Sequence, residues 1–318
     1  MKKLFYLFFV LMSIGLFSCE ESFNPFTGFK QNYGVACILR SDTTLQLLSV
    51  TNNYPDGSDV GTTPKFLFEP GADVRVWYQD SVYRFRDTSI ISAEGTDTIK
   101  YYFSNNFKID HSKDIELEVL LTSGKRLKAF SKTPEDILFK NTSEVLLPPI
   151  GKNIVQFFWS VPSLQYYFQP RMRVKCERIN NGFKEIFYKE LPLRYETIDG
   201  VEQPVFPKPV RSQSVAYQLD AINKFLSDYS ASLANPSSVS IHQMLDFEVI
   251  TFDAEVSRYI SVSNSSTNNL SIRFDEGDYS NINGALGIFG SQMHKKYTRL
   301  KVLENYIRSF NFNYLYDL

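Results

Sequence analysis

The sequence predicts an all-β protein made of two β-sandwich domains, with one helical insertion in the second. Three observations predict this class. Short runs of alternating apolar and polar residues, separated by turn residues, fill most of the chain after Tyr33. Aromatic residues make up 15% of the chain, an excess that suits pleated sheets. A sustained helical spacing of apolar residues occurs in only one segment.

The first residues predict export. The chain opens with MKKLFYLFFVLMSIGLFSC, in which two lysines precede an apolar run from Leu4 to Leu16. A membrane-spanning helix needs about 20 apolar residues, so this shorter run predicts a secretory signal over residues 1–18. Residues 19–32 are rich in residues that do not form a packed element, and they predict a solvated tether.

The first domain is predicted over residues 33–137. In GADVRVWYQDSVYRF, Val74, Val76 and Tyr78 recur at every second position and predict a strand that turns at Gln79-Asp80-Ser81. In DIELEVLLTSGKRLKAF the same alternation predicts a half-buried antiparallel hairpin around Ser123-Gly124.

The second domain is predicted over residues 138–318, because residues 132–152, where the boundary is placed, contain Pro148-Pro149 and lack sustained alternation. It begins with NIVQFFWSVP, and YYFQPRMRVKCERI follows after a short loop. This order, with Trp159 at the end of the first strand, resembles the B and C strands of a fibronectin type III sandwich. The resemblance implies an immunoglobulin- or fibronectin-like fold with Trp159 in the core.

One helix is predicted near residues 214–234. In SVAYQLDAINKFLSDYSASLA, apolar residues recur at spacings of three and four, and Ser214 is suited to be the N-cap. Packing of this stripe against the core is the favoured interpretation, and partner binding is the alternative.

Composition excludes several functions. The chain has 34 Lys and Arg against 35 Asp and Glu, so no net field attracts nucleic acid. His111, His242 and His294 lack the paired spacing of a zinc site, and no metal or other cofactor is predicted. Cys37 and Cys176 are in phase with strand cores and are predicted to be buried free thiols. A disulfide between them is the less favoured alternative.

No catalytic signature is present, and the chain is predicted not to be an enzyme. Gly284, Gly287 and Gly290 lack the Lys-Ser/Thr of a phosphate loop and are predicted to allow close backbone approach in a strand. The segment FDEGDYS at 274–280 has three acidic residues, which favour a hairpin turn over a calcium site. No Gly-x-Ser-x-Gly motif occurs.

Two groups of aromatic residues are candidate ligand-binding residues. Phe310, Phe312, Tyr314 and Tyr316 alternate along the last predicted strand. They either fill the core, which is favoured, or form a platform for a sugar or a partner. Tyr166 and Tyr167 lie in a predicted loop, where exposed tyrosines suit recognition.

The end of the signal segment resembles a bacterial lipobox. Leu16-Phe17-Ser18 precedes Cys19, which implies cleavage before Cys19 and lipidation of its thiol; an ordinary signal peptide is the alternative. Glu20 and Glu21 follow directly, and they are similar to the acidic export signal of Bacteroidota lipoproteins displayed on the cell surface. This resemblance implies an outer-membrane, lipid-anchored protein, and whether it faces outward or into the periplasm stays open.

The segments EPGADVRVWY, SGKRLKAFSKTPED, FFWS and YSNINGALGIFGS occur in that order. Together with Cys19 they resemble the Bacteroidota lipoproteins called domain of unknown function 4249. Members of that family are commonly encoded beside TonB-dependent receptors, which implies a non-enzymatic accessory to a nutrient transporter. The alternative function is independent capture of a glycan or a peptide through exposed aromatic residues.

Overall fold

The computed structural model describes residues 33–53, 66–91, 98–141, 143–161, 166–180, 182–263 and 279–317. These residues form mainly β-strands, and the strands pack as sheets around hydrophobic cores. The predicted all-β sandwich class is therefore confirmed.

Eight strands lie before residue 133, and the rest follow it. The first eight are β1 Tyr33–Arg40, β2 Gln46–Asn53, β3 Phe66–Phe68, β4 Asp73–Tyr78, β5 Ser81–Ile91, β6 Thr98–Ser104, β7 Asp114–Leu120 and β8 Arg126–Lys132. The next eight are β9 Leu138–Phe139, β10 Val145–Leu147, β11 Ile154–Ser160, β12 Phe168–Asn180, β13 Phe183–Glu190, β14 Arg194–Ile198, β15 Val201–Val205 and β16 Ser214–Gln218. The last are β17 Val239–His242, β18 Asp246–Phe252, β19 Leu286–Tyr297, β20 Leu300–Val302 and β21 Asn313–Leu315. Within the described ranges the α-helices are α1 Leu219–Ala231, α2 Ala254–Ser263 and α3 Glu304–Arg308.

The N-terminal half is a sheet folded onto itself. Its strands follow the order β19-β1-β2-β6-β5-β4-β7-β8. The long strand β5 connects the two layers of this folded sheet, because its first residues pair with β4 and its later residues pair with β6. Val74, Val76, Leu117 and Val119 are fully buried between the two layers, as the alternation predicts.

The C-terminal half packs a large sheet against a smaller one. β21, β17, β12, β18 and β19 form the large sheet, with β13 on the other side of β12, and β16, β11 and β9 form the smaller one. Aromatic rings fill the space between them: Phe157 of β11 stacks on Phe247 of β18 with ring centroids 3.7 Å apart. Trp159 is 0% exposed and packs edge-on against Phe168, so the predicted core position of Trp159 is confirmed.

The helix differs from the prediction at its start. Ser214–Gln218 forms strand β16, which pairs antiparallel with β11, and the helix begins at Leu219. The predicted cap at Ser214 is therefore wrong, because alternation over Val215 and Tyr217 matches a strand as well as the start of a helical stripe. From Leu219 the predicted helical spacing is confirmed, but the helix ends at Ala231, before the predicted end near residue 234. Ile222 and Leu226 pack in the core, as the favoured interpretation predicts.

One parallel strand pair makes the two halves continuous. β1 pairs with β19 over seven residues, from Gly34 with Leu286 to Arg40 with Gln292, and β19 also pairs with β18. The side chains of Ile282, Phe289 and Met293 pack in the N-terminal core. The division predicted at 137/138 follows the order of the sequence, whereas the N-terminal core also includes this late segment.

Candidate binding site

Some of the predicted functional residues lie outside the described residues. These are Cys19, Glu20 and Glu21 of the lipidation and export signals, and the acidic residues Asp275, Glu276 and Asp278.

Tyr166 and Tyr167 stand just before β12 and are half-buried. Tyr166 packs against the C-terminal core, and burial raises the pKa of its hydroxyl. The backbone N–H of Tyr167 donates to the Ser257 hydroxyl at 2.9 Å, and the Arg211 guanidinium lies 5.1 Å from its ring centre. Contacts within the chain thus cover part of both tyrosine rings. Tyr166 and Tyr167 therefore do not form the exposed recognition surface that their position in a predicted loop suggested.

The C-terminal aromatics are divided between core and surface. Phe310 lies in the turn after α3, and strand β21 comprises only Asn313–Leu315. Phe312 and Tyr314 are buried, and the Tyr314 hydroxyl donates to the Val302 carbonyl at 2.9 Å. Tyr316 is 62% exposed, and its hydroxyl donates to the carboxylate of Glu304. The platform alternative is wrong for this set, because its members do not share one exposed face.

A different pair of aromatics flanks a groove on the N-terminal half. Trp77 of β4 pairs with Glu116 of β7, and Glu116 pairs with Phe130 of β8, so the three stand in one row across the sheet. Neighbouring strands lie about 5 Å apart, which sets the backbones under the two rings about 10 Å apart. Trp77 is 42% exposed and Phe130 is 62% exposed.

The groove over this row has a volume of about 620 Å³. Its lining includes three acidic residues, Asp80, Asp114 and Glu116, and one lysine, Lys113. One oxygen of Glu116 also accepts a hydrogen bond from Lys128 at 3.3 Å. The site is therefore a concave surface that combines two aromatic faces with hydrogen-bond acceptors.

One wall of the groove is fixed by hydrogen bonds to a buried threonine. The Thr133 hydroxyl donates to the Asp110 carbonyl at 2.7 Å and accepts from the Lys113 N–H at 2.7 Å. The Asp110 N–H donates to the Tyr78 hydroxyl at 2.7 Å. Gln79 and Ser112, on the two turns beside the groove, have φ of 53° and 57°, which non-glycine residues rarely adopt. The turns are thus held in one specific conformation.

The sequence contains a signal for this groove. Because Val74, Val76 and Tyr78 point into the core, the period of two places Trp77 on the outer face of the sheet. The register that brings Phe130 into the same row, however, depends on two strand pairings that the sequence does not specify.

A second exposed surface lies at the end of the β12–β13 hairpin. Ile179 is 77% exposed, and Ile186 and Tyr188 continue the same exposed face of the hairpin. Phe183 is 78% exposed and lies at the tip, on the opposite face. Within the described ranges β13 pairs with β12 alone, so its other edge offers backbone N–H and C=O groups. We call Ile179, Phe183, Ile186 and Tyr188, which flank this edge and the tip on both faces, the hairpin surface.

A buried carboxylate joins the two halves. Asp253 precedes α2, and its Oδ1 accepts from the Val256 N–H at 2.8 Å. Its Oδ2 accepts from the Ser131 hydroxyl of β8 at 2.8 Å and from the Ser291 N–H of β19 at 2.5 Å. Burial raises the pKa of Asp253 to about 6, although these donors act in the opposite direction.

Gly290 allows α2 to approach this carboxylate. A β-carbon at position 290 would lie 2.5 Å from Val256 Cγ2 and 2.8 Å from both carboxylate oxygens of Asp253. The prediction that this glycine permits close approach in a strand is confirmed.

Charged residues continue across the sheet beside the junction. Glu248 of β18 contacts Arg173 of β12 at 2.9 Å and His294 of β19 at 3.1 Å. Burial acts to raise the pKa of Glu248, but the hydrogen bond from His294 and the charge of Arg173 outweigh it and lower the pKa. These contacts reinforce the strand pairings that connect the halves.

Two kinds of feature are absent from the described residues. They contain no group of three or more His, Cys, Asp or Glu residues placed to hold a metal ion. None of their helices is both long and apolar enough to cross a membrane.

No family model matches the chain, and no curated protein matches it. Among solved structures, the chain is similar to the full three-domain Ig ectodomain of mouse nectin-like molecule 4, with 8% sequence identity and a TM-score of 0.19. The similarity covers 85% of this chain and 64% of that ectodomain, so the chain spans less than two thirds of the ectodomain's length. At this level the likeness carries no argument, and the fold assignment rests on the strand pairings.

Proposed function

We propose that the protein is a lipid-anchored lipoprotein of the outer membrane that acts without catalysis as an accessory of a TonB-dependent nutrient transporter. The anchor is Cys19 in its lipobox-like context, and Glu20-Glu21 direct the protein to the cell surface. The observation that supports a docking role is the hairpin surface. It combines large apolar side chains with the free edge of β13, outside the three described grooves.

The chemistry of the hairpin surface suits a protein partner. An exposed strand edge pairs with another backbone, and apolar side chains beside it add buried area. Two cationic side chains border the surface: the Arg173 guanidinium lies 5.3 Å from the Tyr188 ring centre, and the Lys184 ammonium contacts Glu177 at 2.8 Å. The lipid tether raises the local concentration of this surface near a membrane partner, so a contact of modest affinity is sufficient.

The test is an affinity pull-down of the native lipoprotein from detergent-solubilised outer membranes, with the captured proteins identified by mass spectrometry. We expect the wild-type protein to recover a TonB-dependent receptor. The unanchored Cys19→Ala protein should recover less of it, because the tether no longer concentrates the two partners.

A matched pair of variants locates the contact. Phe183→Asp places a charge on the hairpin surface and should abolish recovery of the receptor. Phe130→Asp makes the same change at an exposed phenylalanine of the N-terminal half and should leave recovery intact. Failure of the wild-type protein to recover any TonB-dependent receptor would contradict the accessory role.

A further inference from the structure

We propose that the groove between Trp77 and Phe130 binds a neutral oligosaccharide. This assignment goes beyond the proposed accessory function and does not depend on a transporter, because the groove and the hairpin surface lie on different halves of the chain.

The aromatic faces are the first reason. A pyranose ring has an apolar C–H face that packs on the face of an aromatic ring, and Trp and Phe provide large faces of low conformational freedom. Trp77 and Phe130 project from strands whose partners fix their backbones on both sides, apart from the edge of β8. Their separation of about 10 Å allows contact with two different sugar units of one chain.

The polar lining is the second reason. Carboxylates accept hydrogen bonds and donate none, so Asp80, Asp114 and Glu116 suit a ligand rich in donors. The hydroxyl groups on the rim of a sugar supply such donors without adding charge. Three carboxylates outnumber Lys113 in the lining and Lys128 on Glu116, so the groove disfavours phosphate, acidic polysaccharide and nucleic acid.

The backbone beneath the groove is the third reason, and it disfavours an extended peptide. β7 is paired with β4 on one side and with β8 on the other, so its backbone groups are already used. A peptide therefore cannot add a strand at the centre of this site, although strand addition is a common mode of peptide recognition. The ligand must be recognised by side chains alone, which is how a stacked sugar is held.

The rigidity of the wall is the fourth reason. The segment from Asp110 to Lys113 is held through Thr133 and Tyr78, as described above. A site that is already in its binding conformation loses less entropy when a ligand binds. This matters for sugars, whose individual hydrogen bonds replace equally good bonds to water.

Tryptophan fluorescence gives a direct test, because the chain has two tryptophans and Trp159 is 0% exposed. Acrylamide in solution therefore quenches mainly Trp77. The probes are linear oligosaccharides of β-1,4-glucose, α-1,4-glucose, β-1,4-xylose and β-1,4-mannose, titrated to millimolar concentration. We expect at least one of them to protect Trp77 from acrylamide, with saturation.

Variants that keep Trp77 separate the groove from the rest of the surface. Phe130→Ala and Glu116→Gln should each weaken binding about tenfold, because one removes a stacking face and the other removes an acceptor charge. The control is Phe183→Ala, which removes another exposed phenylalanine, from the hairpin surface, and should leave the affinity unchanged. Trp77→Ala, followed by calorimetry, should abolish binding.

Two results would overturn the proposal. One is the absence of protection by every sugar of the panel, whether or not a protein or peptide from the outer membrane protects Trp77. The other is protection that survives Phe130→Ala and Glu116→Gln unchanged. Because the pull-down depends on Phe183 and the titration on Phe130, failure of one proposal is distinguishable from failure of the other.

Discussion

The two tryptophans are in strands of similar pattern, but they have opposite surroundings. Trp77 follows Val74 and Val76 and is out of phase with them, so its ring stands on the outer face of the N-terminal sheet. Trp159 follows Val155 and Phe157 and is in phase with them, so its ring is in the C-terminal core. The position of an aromatic residue within the alternation of a strand decides whether it contributes to stability or is available for binding.

The largest expected effect tests this comparison directly. Trp159→Ala removes the largest fully buried side chain and should lower the free energy of unfolding by about 3–5 kcal/mol. Trp77→Ala changes an exposed position and should lower it by less than about 1 kcal/mol. Urea denaturation followed by circular dichroism measures both. Similar losses in the two variants would mean that Trp77 also supports the fold.

The second effect concerns the buried carboxylate that joins the halves. The folded protein keeps a proton on Asp253 up to about pH 6, whereas the unfolded chain releases it near 3.8. Between these values the folded state binds more protons, so the contribution of Asp253 to stability falls as pH rises. Relative to Asp253→Asn, wild type should lose about 2–3 kcal/mol of unfolding free energy from about pH 4 to about pH 7.

Urea denaturation of both proteins across this pH range measures the difference, and charges elsewhere cancel in it. A gain of wild-type stability relative to Asp253→Asn as pH rises would mean that the donors at Ser131, Ser291 and Val256 outweigh burial and favour the ionised form.

A smaller effect is expected at the neighbouring glycine. Gly290→Ala places a methyl group against Val256 and the Asp253 carboxylate and should cost about 1–3 kcal/mol of unfolding free energy. Gly124→Ala is the control, since its β-carbon meets no atom within 4 Å and its cost of about 1 kcal/mol comes from its φ of +80° alone. The two variants should also differ in melting temperature. Equal losses of unfolding free energy would show that α2 shifts to accommodate the added methyl group.

The smallest expected effect is a difference between the labelling rates of the two buried cysteines. Cys37 lies in the N-terminal core and Cys176 in the C-terminal core, both as free thiols. Burial raises the pKa of both thiols, that of Cys176 to about 12, so neither should react with a thiol reagent in the folded state.

In a Cys19→Ala background, Cys37→Ala and Cys176→Ala each leave one reporter thiol. Because the β1–β19 pairing connects the halves, both reporters should be labelled at nearly the same rate, that of global opening. Labelling of one thiol about tenfold faster would show that the halves open independently, with opening free energies that differ by about 1.4 kcal/mol.

Much of the fold was predictable because alternation is a local property. The inward faces of β4, β7 and β11 follow from period two alone, and so does the burial of Trp159. The helix was predictable from Leu219 onward but not in its first turn, where strand and helix patterns coincide. The pairing of β1 with β19 joins residues about 250 apart in the chain, and no short-range pattern encodes it.

The candidate site was less predictable for the same reason. The aromatics chosen from the sequence, at Tyr166, Tyr167 and near the C-terminus, are mostly used in packing. Trp77 and Phe130 are on separate strands, and they form one site only because of the register through Glu116. A surface site across a sheet is a product of strand pairing, and the sequence does not specify that pairing locally.

The parallel pairing of β1 with β19 also governs when the protein can fold. A chain that emerges from its N-terminus has β1 and its antiparallel neighbour β2 early, but it lacks the parallel neighbour of β1 until residues 286–292 of β19 are present. Contacts between such distant residues close slowly, and they leave an open strand edge in the meantime. For the exported protein that we propose, this delay is favourable, because a segment that cannot complete its core stays extended during translocation.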